Sequence, residues 1–273
     1  MTTSVRRDVV APALLLIAAT AVLLWWLGFS AAAAQSDPVA RGREKFLTGC
    51  ASCHVADGQG VTGDDGEARG PSLVASGAAG AYFQLSTGRM PAATTGGQAE
   101  RKPPVYSPAD IDVLVAYVAS LGDGPALPDV TVTNGDLAVG GELFRANCAA
   151  CHSASGAGGA LSYGQYAPNL DDATPLQVGA ALRSGPGQMP PFGPDTLDAQ
   201  QVDDIARYVE YLHDPDDRGG LPIGRIGPVP EGFVAWTLGM GALLAAVAWI
   251  GTRSPARRAA PDAAAATTKE THG

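Results

Sequence analysis

Two five-residue stretches carry the chemistry of this 273-residue chain: Cys50-Ala51-Ser52-Cys53-His54 and Cys148-Ala149-Ala150-Cys151-His152. In each, two thiols stand one helical turn apart and an imidazole follows directly. Cys-x-x-Cys-His is the c-type haem attachment signature. The thiols form thioethers with the two vinyl groups, and the adjacent His meets the iron from the proximal side. Two separated Cys-x-x-Cys pairs can also build a four-thiolate zinc centre. The His after each pair, a matching methionine downstream of each and an export-type N-terminus favour haem over zinc. The two motifs consume all four cysteines, so no disulfide is available. Two covalently bound haem c groups are expected.

A low-spin electron-transfer haem needs a second strong axial ligand, and few residues qualify. Besides His54 and His152 the histidines are His213 and His272, the latter near the C-terminus. Of the methionines, Met1 opens the chain and Met240 lies in an apolar run. Met90 and Met189 remain, in Gly88-Arg89-Met90-Pro91 and Gly187-Gln188-Met189-Pro190, each at nearly the same distance from its own His. The expected iron ligands are therefore His54 with Met90 and His152 with Met189. His/Met ligation raises the potential. A proximal His usually donates its other ring N–H to a backbone carbonyl, and the carbonyls of Pro71 and Pro168 are the candidates. With both axial positions filled by protein, electron transfer is expected rather than peroxidase or oxygenase chemistry, and no catalytic site.

The elements that must hold these ligands recur in order. Gly42-Arg43-Glu44-Lys45-Phe46-Leu47 reads as a short amphipathic helix leading into Cys50, and Gly141-Glu142-Leu143-Phe144 leads into Cys148 with the same Phe-to-Cys spacing. Ala167-Pro168-Asn169-Leu170 answers Gly70-Pro71-Ser72-Leu73. Apolar residues recur with helical spacing at Ile111, Leu114, Val115, Val118 and Leu121, and at Val202, Ile205, Val209 and Leu212. The first run predicts a helix over 108–121, with Ser107 as N-cap, Pro108 at the first position and Gly122 as stop. The second predicts one over 198–212. Such correspondence marks an internal repeat. The expected architecture is all-α: two tandem class I cytochrome c-like haem domains over 38–122 and 140–213, followed by a C-terminal transmembrane helix. Residues 123–139 read as a linker with turn signals at Gly124-Pro125, Pro128 and Asn134-Gly135. Residues 94–102, polar and carrying Arg101-Lys102, are extra in the first repeat. They read as a surface insertion, with a partner-docking loop as the other reading.

The ends point to a membrane. Arg6 and Arg7 precede an uncharged run over 9–29 and the small residues Ala31-Ala32-Ala33-Ala34, so residues 1–35 read as a signal peptide cleaved near Ala34, or as an uncleaved signal anchor. Residues 214–231 form a second linker, and 232–252 are uncharged and long enough to span a bilayer. Trp236 and Trp249 sit near its two ends, and Arg253, Arg257 and Arg258 follow. The positive-inside rule then places the tail, 253–273, in the cytoplasm and the haem domains outside the cell membrane.

Charge narrows the partners. A formal net charge of −9 argues against nucleic acid. Residues 38–125 carry seven basic and nine acidic side chains, but 126–220 carry four and thirteen. The second half reads first as a solvated acidic surface, and alternatively as a docking face for a redox partner.

The order of these features resembles the dihaem cytochrome cc subunit of the actinobacterial-type cytochrome bcc complex. The resemblance rests on both haem motifs, Tyr82-Phe83-Gln84-Leu85-Ser86-Thr87-Gly88-Arg89-Met90-Pro91, Gly141-Glu142-Leu143-Phe144-Arg145 and Gly227-Pro228-Val229-Pro230-Glu231-Gly232. It implies an electron-transfer subunit of a quinol–cytochrome c reductase, partnered by a cytochrome b subunit and a Rieske iron–sulfur subunit. The first haem would accept electrons from the Rieske protein and the second would pass them to cytochrome c oxidase. Two alternatives stand beside it: the dihaem subunit of a cbb-type oxidase and the cytochrome subunit of a periplasmic dehydrogenase. The C-terminal anchor speaks against the oxidase subunit.

Overall fold

The computed structural model describes residues 16–25, 37–64, 66, 68–94, 97–216 and 228–253. The Ala34 cleavage point, most of the 214–231 segment, the tail beyond Arg253 and part of the 94–102 insertion lie outside them.

Residues ahead of the first repeat include an apolar helix, α1 (Leu16–Trp25). The repeat opens with α2 (Pro38–Gly49), where the Asp37 carboxylate accepts the Val39 N–H at 3.0 Å and Pro38 takes a first-turn position that needs no N–H. A single turn, α3 (Ala51–His54), carries the motif, and α4 (Gly77–Ser86) and α5 (Pro108–Ala119) complete the domain. The second repeat has the same order: α6 (Leu137–Asn147), α7 (Ala149–His152), α8 (Pro175–Ser184) and α9 (Ala199–His213). Each also has one small antiparallel ribbon, β1 (Val61–Thr62) with β2 (Ala68–Gly70), and β3 (Gly159–Ala160) with β4 (Tyr166–Ala167). The chain is mostly helical.

Each domain is built on one helix crossing. Helix α2 packs on α5 and α6 on α9. A Cβ at Gly42 would overlap the Val113 carbonyl oxygen, and one at Gly140 the Asp204 carbonyl oxygen. Glycine at these two positions therefore sets the approach of the helices. Beside the crossings Phe46 meets Tyr117 with ring centroids 5.0 Å apart, and Phe144 meets Tyr208 at 5.3 Å. Phe46 and Phe144 are each 1% exposed and anchor separate apolar cores.

Three boundaries differ from expectation. Helix α5 ends at Ala119, two residues early, because the Ser120 hydroxyl donates to the Tyr117 carbonyl at 2.6 Å and tightens the last turn. Helix α6 begins at Leu137 inside the segment read as linker, since the Asp136 carboxylate accepts the N–H groups of Ala138 and Val139 at 2.8 and 3.1 Å. The membrane-type helix α10 (Pro228–Arg253) starts four residues before 232. It is long and apolar enough to cross a bilayer. Near its end the Arg253 guanidinium lies 4.2 Å from the Trp249 ring centroid, a pairing suited to a membrane interface.

Residues 123–136 form a strap seated on both domains. The Ala79 N–H donates to the Pro125 carbonyl at 3.1 Å. Leu127 packs between the domains, and Val130 and Val132 pack on the second core. Two buried carboxylates on α9 hold its end: Asp203 accepts from Thr131 N at 2.8 Å and Asp204 from Asp136 N at 2.7 Å. Part of the second half's acidity is thus internal hydrogen bonding rather than a solvated face.

The insertion also faces inward, onto the second domain. Gln98 donates through Nε2 to the Tyr166 carbonyl at 2.8 Å and accepts the Tyr166 N–H at 3.0 Å. Arg101 donates to the Asp172 carbonyl at 2.6 Å and to Gln177 Oε1 at 3.1 Å. Beneath it α4 packs on α8 through Ala79, Phe83 and Ala180, with both alanines fully buried. Small residues there let the two helices approach closely.

Candidate haem sites

The motif turns form where α2 and α6 end. The Cys50 N–H bonds to the Phe46 carbonyl at 2.8 Å, and those of Cys53 and His54 bond back to the Cys50 carbonyl at 3.2 and 3.0 Å. The Cys148, Cys151 and His152 N–H groups repeat the pattern at 2.8, 3.1 and 2.9 Å. One turn thus places each thiol pair three residues apart on one face. The chain leaves each turn abruptly: Val55 has φ 53° and Ser153 φ 61°, with ψ 168° and 164°. L-residues seldom occupy that region, and such strain gathers at functional sites. The bend brings Gly60 N to the His54 carbonyl at 3.0 Å and Gly158 N to the His152 carbonyl at 2.9 Å.

These returns carry the proline carbonyls to the imidazoles. His54 Nδ1 lies 2.8 Å from the Pro71 carbonyl oxygen and His152 Nδ1 lies 3.0 Å from that of Pro168. In each loop a main-chain bond fixes the proline's position, from Leu73 N to Gly58 O at 2.8 Å and from Leu170 N to Gly156 O at 2.9 Å. With Nδ1 donating to a carbonyl, Nε2 is the nitrogen left to a metal.

The methionines lie in loops after α4 and α8. Met90 donates its N–H to the Gln84 carbonyl at 3.0 Å and packs on the core that also takes Cys50. Met189 donates to the Pro186 carbonyl at 3.1 Å and packs on the core that takes Cys148. The base of the insertion closes over the first loop: Lys102 N bonds to the Thr87 carbonyl at 3.2 Å, and Lys102 Nζ donates to the Pro91 carbonyl.

Burial sets the electrostatics of both sites. It pushes the Cys148 thiol up to about 11, with the neighbouring Cys151 adding to the shift. Burial raises Cys50 as well, against a hydrogen bond from Tyr106 that lowers it. Desolvation lowers His152, partly offset by the bond to Pro168. These surroundings favour the neutral forms of the Cys50 and Cys148 thiols and of the His152 imidazole. Cys50 and Cys148 stand on different cores, each in a motif with its own His, whereas a shared four-thiolate centre would need the two motifs together.

Comparison with known proteins follows the same division. Residues 39–122 match the family described as cytochrome c, and residues 135–209 the one described as cytochrome c oxidase, cbb3-type, subunit III. Over 221 residues the chain is 43% identical to a Mycobacterium tuberculosis (strain ATCC 25618 / H37Rv) protein named cytochrome bc1 complex cytochrome c subunit, covering 78% of this chain and 77% of the relative. The like-named Mycobacterium leprae protein is 42% identical over 221 residues, covering 78% and 75%. That of Corynebacterium diphtheriae is 39% identical over 243 residues, covering 82% and 85%. The chain belongs to this family. It is a cytochrome c subunit of the bc1-complex type, an electron-transfer component, and its cytochrome c domains imply covalently bound haem c.

The donor set of this family member fits such a group: paired thiols one turn apart, an imidazole with Nδ1 engaged by a carbonyl, and a thioether on the same core. Buried polar atoms beside the first methionine add a feature that motif reading misses. Gln84 Oε1 and Arg89 Nη1 are buried without a hydrogen-bond partner among the described residues. Arg89 differs from its counterpart Gln188, and a cation standing next to a ligand candidate was the available signal in the sequence.

Proposed function

We propose that this chain is a membrane-anchored dihaem cytochrome that carries electrons from the Rieske protein of a quinol oxidoreductase to cytochrome c oxidase. Cys50 and Cys53 would hold one haem and Cys148 and Cys151 the other, with His54 and Met90, and His152 and Met189, offering the iron ligands. When bound, each haem supplies a reversible one-electron change at iron. The residues do the rest. The Pro71 and Pro168 carbonyls hold the Nδ1 atoms of His54 and His152, which would leave each Nε2 to the metal, and the Met90 and Met189 thioethers would supply the second ligands. The observation that carries this reading is the full ligand set present twice, in a chain whose relatives over both repeats are bc1-complex cytochrome c subunits.

In this reading electrons enter at the first domain and leave from the second. Covalent connection of the two domains replaces a mobile cytochrome, at high effective concentration. Helix α10 anchors the protein, with Arg253, Arg257 and Arg258 on the cytoplasmic side and the haem domains outside. Residues 1–35 direct export. The partners are a cytochrome b subunit and a Rieske subunit.

The family matched by 135–209 favours a second reading, the dihaem subunit of a cbb-type oxidase. Detergent purification of the full chain from its native membrane separates the two. Co-purification with cytochrome b and a Rieske protein, and an intact mass carrying two covalent haems, is the expected result. An oxidase catalytic subunit or a soluble dehydrogenase in their place overturns the proposal.

A further inference from the structure

Arg89 is only 8% exposed and precedes Met90 in the loop that closes the first site. Its guanidinium carbon lies 4.8 Å from the Phe83 ring centroid, which fixes one face of the group, while Nη1 is a buried donor without a partner among the described residues. Burial lowers the Arg89 pKa, Arg101 of the insertion lowers it further as a like charge, and Tyr166 of the second domain acts in the opposite sense. Lys102 is occupied by the Pro91 carbonyl, and Arg101 by neutral acceptors. The ion pair between Lys45 and Asp110 involves none of these three cations, and among the described residues no carboxylate is paired with them. An uncompensated buried cation is strongly unfavourable.

We propose that Arg89 is the counter-ion of a haem propionate, its Nη1 donating to a carboxylate of the haem held by Cys50 and Cys53. A dissolved anion is poorly placed to reach a group this buried. A covalently attached haem brings two carboxylates into the same domain, and Cys50 packs on the core that Met90 also lines. Charge-assisted bonds from a guanidinium to a carboxylate are among the stronger ones available. Arg89 is thus a positioning and potential-setting residue. Without it the propionate charge is uncompensated and favours ferric iron. This inference rests on the first haem of the proposed function.

The test uses the full-length holoprotein and the variants Arg89→Gln, Arg89→Met and Arg89→Lys. Covalent haem is counted by intact mass, and each haem is titrated electrochemically through its own low-spin ferric EPR signal. Absence of covalent haem from the unsubstituted chain sinks the proposed function itself. With haem present, the neutral variants should raise the ferric-to-ferrous ratio of the first haem about tenfold at fixed potential, a fall of about 59 mV for one electron. The lysine variant should recover most of that shift, and the second haem should not move. Loss of haem from both neutral variants with retention in the lysine variant also supports a charge requirement. A change below about twofold, equal shifts in Gln and Lys variants, a shift confined to the second haem, or failure of all three to hold haem overturns the assignment.

Discussion

Replacing Gln177 by Ala should loosen the two haem domains from each other. Gln177 is 6% exposed at the start of α8, and its amide is used from both ends. Oε1 accepts from Thr174 N at 3.2 Å and from Arg101 Nη2 at 3.1 Å. Nε2 donates to the Ser86 carbonyl at 3.1 Å and the Ser86 hydroxyl at 3.3 Å. Three of these bonds cross the domain junction. Arg101 is exposed and re-solvates easily, so the junction loses about 2 kcal/mol at about 1 kcal/mol net for each of the two Ser86 bonds. Losing half of the Thr174–Gln177 capping box removes about 1 kcal/mol more. A total near 3 kcal/mol lowers Tm by roughly 6–12 °C for a unit of this size. Gln177→Glu gives up the Nε2 donor but pairs with Arg101, and should lose less. Thermal unfolding of the holoprotein, paired with limited proteolysis across residues 123–139, reads both effects. If Gln177→Ala shifts Tm by less than about 2 °C and the strap is cut no faster, this amide does not hold the domains together.

Two further outcomes are expected. Gly42→Ala and Gly140→Ala should each destabilise their own domain by about 2 kcal/mol, because the overlap with a backbone carbonyl at the helix crossing outweighs the roughly 1 kcal/mol gain in helix propensity; a raised Tm in either variant contradicts the close approach. Met189→His should lower the potential of the second haem and slow oxygen consumption while quinol-driven reduction of the first haem persists. Met90→His should slow reduction of both, and the reverse pattern in stopped-flow spectra means that electrons enter at the second domain.

The candidate ligands are legible in the sequence because covalent haem chemistry demands fixed residue types at fixed spacing. The closing helices α5 and α9 are equally readable from apolar residues at helical spacing, although burial extends beyond that stripe to Val113 and Tyr117 in α5 and to Asp203, Asp204 and Ala206 in α9. Helices α4 and α8 carry no such stripe. Helix α4 is Gly-Ala-Ala-Gly-Ala-Tyr-Phe-Gln-Leu-Ser, packed on α5 from one side and on α8 from the other, so little of it needs to be polar. That second contact exists only once the other domain is in place. The insertion lies on the surface, but its partners are not legible for a related reason: Gln98 and Arg101 bond to Tyr166, Asp172 and Gln177, about 70 positions away in sequence. The glycine pair Gly42 and Gly140 is visible as a spacing, but its meaning depends on which carbonyl crosses above it.

The junction also shows why the two repeats are unequal. Helices α4 and α8 are equivalent elements of a duplicated domain, and they meet like to like through small buried side chains. Such a self-complementary face does not by itself distinguish its covalent neighbour from the same face on another copy, which is how isologous dimers arise. The residues that break the ambiguity are those without a counterpart in the second repeat. Gln98 pairs with both backbone groups of Tyr166, Arg101 reaches the Asp172 carbonyl, and Thr131 of the strap donates to Asp203. The insertion exists in the first repeat only, and the strap can join the two faces only within one chain. The insertion's bonds therefore favour a first domain meeting a second over like meeting like, and the strap ties that pair to one chain. The asymmetry selects one partner for a surface that duplication left symmetric, and it joins the two haem domains of one chain to each other.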